Sequence, residues 1–295
     1  MAYSGIAASS ATTWALFKEQ VDDTIVKALQ PKILYPLLGK VYPANGPVVE
    51  YNTTDSYLDP EEVSESGEYA SSIMNFTRNY ASIKDIGIAP RIPINWIKDA
   101  RWDLVNDHVE AIGFGIARSI NTDMLTAINT YVGGGTYAGQ TLTTVSHTAA
   151  ASATWDNASA DIINDISSGL YYLENDDAGD GRKFLIMSPS AFRYLRVDPN
   201  LLKYLNYGNA ELIQKGIYPT PFGVDILVTS QATNTYALIV NTDLAAIRYY
   251  EREPLTVEIE KAARSKHLDI VSYIRYAIAC ARPKALAKIS GVLSA

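Results

Sequence analysis

Apolar residues recur at steps of three to five positions through the middle of the chain, after Pro93. Asn95 is a candidate N-cap, and the pattern ends at Tyr131, before three consecutive glycines. The pattern predicts one helix of about 35 residues, which is about 50 Å long at 1.5 Å per residue. Its repeated positions are Ile97, Trp102, Val105, Val109, Ile112, Ile116, Ile120, Met124 and Ile128.

Shorter helical patterns lie on both sides of this long helix. Residues 14–29 have apolar residues near helical spacing, and residues 33–38 form a second, shorter apolar piece. Residues 158–174 predict another helix, followed by a strand at 183–188 and a helix that begins at Pro189. The apolar face of the helix at 158–174 comprises Ile162, Ile163, Ile166, Leu170 and Leu173.

The last third of the chain is rich in β-branched and aromatic residues. Its apolar runs are short and are separated by turn residues or charged clusters, which is typical of strands in a mixed sheet. The predicted strands are 224–229, 236–240, 247–250, 256–259, 268–280 and 285–289.

Residues 41–93 predict two strands that are joined by a long intervening segment. Residues 48–52 predict the outgoing strand, and residues 75–92 contain the returning one. Between them, residues 55–68 carry six acidic residues and no basic one, and they lack a core pattern. This segment is either a surface loop or an arm that lies across another molecule. It lacks the alternating ligands and the glycine of a calcium-binding loop.

Composition and charge narrow the class of protein. With 295 residues and 47% hydrophobic content, the chain can form one large domain or two ordinary ones. The twenty tyrosines suit half-buried strand positions or a protein interface. The net charge is −7, but from Arg252 onward eight Lys/Arg face four Asp/Glu, a local charge of +4. Because these basic residues alternate with acids, an acidic protein neighbour is favoured over a nucleic acid.

The sequence offers little candidate chemistry. The stretch GGGTYAG lacks the Lys-Ser/Thr of a phosphate loop, and Ser188 and Ser190 lie outside a Gly-x-Ser-x-Gly motif. Three distant histidines and the single Cys280 give no zinc pattern, and Asp176, Asp177 and Asp180 suit a polar turn better than a cation site. We therefore expect no enzymatic activity, cofactor or metal.

The single cysteine and the lengths of the apolar runs indicate the cellular compartment in which the protein folds. Cys280 excludes an intrachain disulfide, and its apolar strand pattern predicts a buried thiol in a protein that folds in a cytoplasm. No apolar run approaches the 18 or so residues of a membrane span, and the N-terminus lacks an export signal. We expect a soluble protein.

The order of these parts resembles the HK97-like fold of major capsid proteins of tailed double-stranded DNA viruses. The resemblance depends on the order of a Val-Thr-Ser strand end, an Ala-Leu-Ile-Val strand, Ile-Arg-Tyr-Tyr-Glu-Arg-Glu and a strand ending at Ala-Arg-Pro-Lys-Ala. It implies an α+β fold that combines an N-terminal arm, an extended hairpin loop, a spine helix and an α/β axial domain. The implied parts are the arm (1–40), extended loop (41–94), peripheral domain with spine helix (95–150), axial domain (151–244) and β-rich end of the peripheral domain (245–295).

The same resemblance implies a structural role. Copies would form pentamers and hexamers of an icosahedral shell in the virion, made in the host cytoplasm, that encloses double-stranded DNA without sequence-specific binding. Scaffolding, portal or decoration proteins are possible partners, and no membrane is involved. The alternative is an encapsulin, a compartment protein of the same fold that encloses cargo enzymes.

For contacts between subunits, the charged residues are the candidates. Acids of the extended loop are expected to pair with basic residues near Pro254 in an adjacent subunit; a solvated charged face is the alternative. The interface candidates are Asp55, Asp59, Glu61, Glu62, Glu65, Glu68, Arg248, Glu251, Arg252 and Arg264.

Overall fold

The computed structural model describes residues 33–53, 62, 76–99, 104–141, 147–199, 223–262 and 266–294. In this part of the chain, helices and strands build two five-stranded sheets and two small hairpins. The helices are α1 (Tyr35–Leu38), α2 (Ile94–Asp99), α3 (Leu104–Val132), α4 (Ile162–Asn175) and α5 (Pro189–Arg196), with a 3₁₀ turn at Pro283–Ala285. The strands are β1 (Lys40–Pro43), β2 (Val48–Thr53), β3 (Thr77–Ser82), β4 (Lys84–Ile88), β5 (Arg91–Pro93), β6 (Thr136–Tyr137), β7 (Gln140–Thr141), β8 (Thr148–Ala150), β9 (Lys183–Met187), β10 (Val224–Val228), β11 (Tyr236–Asn241), β12 (Ile247–Ala262), β13 (His267–Cys280) and β14 (Leu286–Ser290).

The first sheet is centred on the antiparallel pair β12 and β13. This pair runs from Ile247 opposite Cys280 to Ala262 opposite His267. Strand β1 pairs with β12 in parallel, while β4 and β5 pair with successive parts of β13. The sheet thus joins strands that lie about two hundred residues apart in the sequence.

The second sheet has the order β10-β9-β11-β14-β8. It takes its outer strand β8 from the connector after the long helix and β14 from the end of the chain. Helix α4 packs on this sheet, and Gly169 allows the close approach: a Cβ atom there would lie 2.7 Å from the Ile239 side chain. Asp161 caps α4 by accepting a hydrogen bond from the Asn164 amide.

The predicted apolar stripe of the long helix is buried. The described members of the stripe in α3, namely Val109, Ile112, Ile116, Ile120, Met124 and Ile128, have at most 2% of their surface exposed. The 29 residues of α3 give a rod of about 44 Å. Residues 100–103 and the side chains of Ile97, Trp102 and Val105 lie outside the described part. The N-cap prediction was wrong: Asn95 lies inside α2, which begins at Ile94.

The hairpin of β2 and β3 covers the other face of the first sheet. Successive residues of a strand point to opposite faces. Accordingly, Tyr276 and Ile278 of β13 join the core beneath α3, while Ala277 and Ala279 pack with Tyr51 and Ala81 of the hairpin. The first sheet is therefore covered by apolar contacts on both faces.

Three predictions of element bounds need correction. The runs 247–250 and 256–259 belong to one strand, β12, which continues through register shifts between Glu251 and Thr256. Residues 133–156, for which the pattern predicts no strand, contribute β6, β7 and β8. Helix α4 begins four residues later than predicted. The helix predicted at 14–29 lies outside the described residues.

The strands predicted at 48–52, 224–229, 236–240, 268–280 and 285–289 are confirmed to within one residue at each end. The strand and helix around Pro189 are present as β9 and α5, with the Ser188 side chain as the N-cap. Cys280 is fully buried in β13.

Candidate assembly surfaces

The predicted interface residues fall into two groups. Asp55, Asp59, Glu61, Glu65, Glu68 and Arg264 lie outside the described residues. Among the acids, Glu62 is described, and it is exposed. Arg248, Glu251 and Arg252 lie on β12, and all three are half-buried. The structure therefore brings the three β12 residues together on one strand and leaves their pairing with the acidic segment untested.

Arg248 lies among tyrosines on the face of the first sheet that the hairpin covers. Its guanidinium carbon is 5.5 Å from the centre of the Tyr42 ring, and the Lys40 ammonium is 5.8 Å from the same ring. Such cation–π contacts stabilise a cation without neutralising its charge. Within the described part of the chain, Arg248 has no ion pair, and its buried Nε has no hydrogen-bond partner.

Arg252 lies at an irregularity of β12. The register with β13 shifts between Glu251 and Glu253, so one extra residue is accommodated at this point. Its buried Nη1 atom has no hydrogen-bond partner in the described structure. Glu251, just before the shift, lies near Tyr35. Burial and, to a smaller extent, the negative charge of Glu251 raise the pKa of the Tyr35 hydroxyl.

Charged residues on the neighbouring strands differ because they pair within the chain. Arg275 of β13 donates to Glu253 over 2.9 Å and lies 3.8 Å from Asp85. Arg91 pairs with Asp269 at 3.0 Å. Within the described chain, Arg248 and Arg252 thus have no anionic partner, whereas Arg275 and Arg91 are paired, although Nε of Arg275 is also buried without a hydrogen-bond partner.

The hairpin has an exposed outer face. Tyr80 is 48% exposed and Val48 49% exposed, while Phe76, at the start of the described returning strand, is 62% exposed. A salt bridge of 2.6 Å joins Arg78 to Glu50 across the two strands. Val48 and Tyr80 therefore share this outer face with the exposed side chains of Glu50 and Arg78.

A polar cluster joins the long helix to the first sheet. The Lys84 ammonium lies 3.0 and 3.1 Å from the two carboxylate oxygens of Asp123 and 2.8 Å from the Tyr137 hydroxyl. The Tyr276 hydroxyl donates to Asp123 over 3.0 Å. The Asp123 carboxylate therefore fixes α3 against β4 and β13. Sequence reasoning missed this cluster; the signal was an acid three residues after Ile120, beside the apolar stripe.

The segment before β1 is held to the long helix and the sheet. The Asn121 side-chain oxygen accepts a hydrogen bond of 2.9 Å from the Leu34 amide. The Tyr35 ring stacks on Tyr249 with the ring centres 3.9 Å apart, and Tyr249 stacks on Tyr276 at 5.1 Å. Many of the tyrosines are therefore core residues, while Tyr80 and Tyr171 remain exposed.

The described residues show no candidate metal site. They contain no group of three His, Cys, Asp or Glu side chains placed to hold a metal ion. None of the helices in this part of the chain is long and apolar enough to cross a membrane.

Comparison with known proteins gives a family and a set of similar structures. The family model for phage capsid protein matches residues 91–289. A capsid chain of cyanophage P-SCSP1u is similar at a TM-score of 0.69 and 11% identity, over 87% of each chain. A chain of Mycobacterium phage Che8 is similar at 0.61 and 17% identity, over 85% of this chain and 86% of that one. A virus-like particle from Pyrococcus furiosus is similar at 0.61 and 14% identity, over 93% of this chain and 99% of that one. No curated protein matches the sequence.

Proposed function

This chain belongs to the phage capsid protein family and is a structural major capsid protein with the HK97-like fold; we propose that its copies assemble into an icosahedral shell around double-stranded DNA. The shell consists of pentamers and hexamers. The protein has no catalytic role, is made in the host cytoplasm and ends in the virion. Scaffolding, portal and decoration proteins are the further partners we expect.

The main support for specific subunit contacts is the pair of unneutralised cations on β12. Arg248 and Arg252 each keep a buried guanidinium nitrogen without a hydrogen-bond partner in the described chain. Residues 55–68 supply six carboxylates and no basic residue. We propose that acids of this segment pair with these cations in adjacent subunits, and that Glu251 and Arg264 take part in the same contacts.

The proposed role also assigns a part to each segment of the chain. We propose an arm (1–40), an extended loop (41–94), a peripheral domain with the spine helix (95–150) and the β-rich end (245–295), and an axial domain (151–244). In support, the outer face of the hairpin of β2 and β3 carries Val48 and Tyr80 beside the Arg78–Glu50 pair, and it has no cover in the described chain. The arm and the loop are the parts expected to reach neighbouring copies.

Assembly then needs only weak individual contacts. A closed shell engages many contacts at once, and each bound neighbour raises the effective concentration of the next. Contacts between unlike surfaces of identical copies generate closed rings when the rotation between copies is right. Weak single contacts also allow a wrongly added subunit to dissociate.

The decisive experiment replaces residues 59–71 with a short Gly/Ser turn. We expect the purified wild-type protein to form large hollow particles, visible by electron microscopy and light scattering. The loop variant should remain a folded subunit with the wild-type circular dichroism spectrum, yet form no shells. A wild-type protein that stays a compact monomer at high concentration and in varied salt would contradict the proposal. Shells formed at normal yield by the variant would contradict the role of the loop.

A further inference from the structure

His147 lies immediately before β8, an outer strand of the second sheet, and the residue is 4% exposed. The ring nitrogen Nδ1 is 3.0 Å from the backbone oxygen of Leu286, and Nε2 is 2.8 Å from Oδ2 of Asp176. The ring also stacks on Tyr172, with centres 5.5 Å apart. One side chain thereby links the start of β8 to the start of β14 and to the end of α4.

Both contacts of the ring are to hydrogen-bond acceptors. A backbone carbonyl can only accept, and an ionised carboxylate can only accept. A neutral imidazole has one N–H donor and one lone pair, so it satisfies one of these contacts and places its lone pair against the other. Only the imidazolium, with two N–H donors, satisfies both.

A second cation lies beside Asp176. Lys284, on the 3₁₀ turn before β14, places its ammonium 3.7 Å from Oδ1 of Asp176. On α4, Asp176 and Tyr172 are the titratable residues in contact with the ring. On β14, the contact is the Leu286 carbonyl, and the Lys288 ammonium lies over the Tyr236 ring.

We infer that His147 is a pH-sensitive latch that tightens the outer edge of the second sheet when its ring is charged and loosens that edge when the ring loses a proton. Other tethers keep the edge in place: the Ser290 hydroxyl donates to the Ala149 carbonyl over 3.2 Å, and Asp165 accepts from the Ser152 amide over 2.8 Å. Strand β8 has three residues and pairs with β14 alone. The His147 carbonyl accepts a hydrogen bond from the Lys288 amide over 2.8 Å, and the Ala151 amide donates to Ser290 over 2.9 Å. Loss of one ring contact removes a tether beside the first of these bonds, and the second lies at the other end of the three-residue strand.

The test is hydrogen exchange of the unassembled full-length subunit at about pH 5.5 and about pH 8, a range that spans the usual titration of histidine. The measured rates are corrected for the intrinsic pH dependence of amide exchange. We then expect the Ala151 and Lys288 amides to exchange three- to tenfold faster at the higher pH. The loss of one hydrogen bond changes an opening equilibrium by about this factor. NMR of the His147 ring nitrogens should show the loss of one ring proton with the same midpoint. Unchanged exchange, or a different midpoint, would overturn the inference.

Two variants with equal charge change separate the latch from general electrostatics. In Asp176→Asn the amide can donate to or accept from Nε2, so a neutral ring satisfies both contacts, and the pH effect on exchange should fall below about twofold. Asp177→Asn is the matched control: Asp177 is exposed, has a φ of 53° that asparagine tolerates, and has no side-chain contact with the ring. It should keep the wild-type response. An equal response in both variants would overturn the inference. If Asp176→Asn fails to fold, the ring titration of the wild type still tests it.

Discussion

At the scale of single residues, two stacked tyrosines differ in one hydrogen bond. The Tyr276 hydroxyl donates to Asp123, whereas the Tyr249 hydroxyl is buried without a partner in the described chain. Replacing Tyr276 with phenylalanine should therefore lower the free energy of unfolding by about 1 kcal/mol. Tyr249→Phe should leave stability unchanged or raise it, because it removes an unsatisfied polar atom while the ring stack remains. Urea denaturation of the unassembled subunit compares the two, and equal losses would contradict the assignment of these hydroxyls.

Buried tyrosines also predict a loss of stability in alkali. Burial raises the pKa of the Tyr51, Tyr131, Tyr249 and Tyr276 hydroxyls above the ordinary value of about 10. Above about pH 10 the unfolded chain loses these protons while the folded chain retains them, so stability is complete below that pH and falls as the pH rises further. The urea midpoint measured from about pH 8 to about pH 11 should show this fall. Its slope should be smaller in Tyr249→Phe than in the wild type; equal slopes would contradict the prediction.

Residue-level prediction from the sequence succeeded where the pattern was local. The stripe from Val109 to Ile128 was predicted from spacing alone because helical neighbours are three or four residues apart. Lys84, Asp123 and Tyr276 are separated by tens to more than a hundred residues, and no local pattern relates them. Their cluster depends on the tertiary fold, which brings α3 against β4 and β13.

At the scale of elements, helix α4 and the connector before it are joined through one buried carboxylate. Asp165 is 2% exposed and accepts hydrogen bonds from the Ser152 amide at 2.8 Å and from the Trp155 indole at 3.0 Å. Asp165→Asn would turn an NH₂ group toward one of these donors, so we expect a loss of about 1–3 kcal/mol in the free energy of unfolding.

The matched control lies one turn earlier on the same helix. Asp161 is the exposed N-cap, and asparagine caps a helix about as well as aspartate. Asp161→Asn should change the unfolding free energy by less than about 0.5 kcal/mol. Thermal denaturation of both variants measures the difference. Equal effects would show that charge, and not the two hydrogen bonds of Asp165, stabilises this region.

Strand β12, which the sequence pattern predicts as two strands, shows why local patterns cannot define every element. Glu251, Arg252, Glu253 and Pro254 read as a charged break, since prolines and charge clusters commonly separate strands. In the fold, β13 provides a continuous partner, and the register shifts absorb the irregular residues. The parallel pairing of β1 with β12 could not be predicted from local patterns either, because the paired residues are more than two hundred positions apart in the sequence.

At the scale of the whole molecule, the cations of β12 predict an effect on assembly that exceeds the effect on folding. Arg252→Glu should leave the melting temperature of the unassembled subunit close to that of the wild type, because no described residue pairs with this side chain. Shell yield should fall severalfold, and salt should weaken wild-type assembly in the same direction. Mixing Arg252→Glu subunits with subunits carrying Glu61→Lys and Glu62→Lys should restore part of the yield. An equal loss of thermal stability in the subunit would indicate a role within the chain.

The contents of native particles separate a viral shell from a cellular compartment of the same fold. The match of residues 91–289 to the phage capsid protein family favours the virus. The net charge of −7 does not oppose this, because a shell can confine DNA without the many Lys and Arg contacts of a DNA-binding protein. We expect nuclease-treated particles from the native source to release double-stranded DNA on disruption, detected by absorbance and gel electrophoresis. Particles reassembled from purified subunits alone are the control and should contain none. Native particles that contain a folded enzyme and no DNA would contradict the viral assignment and favour an encapsulin.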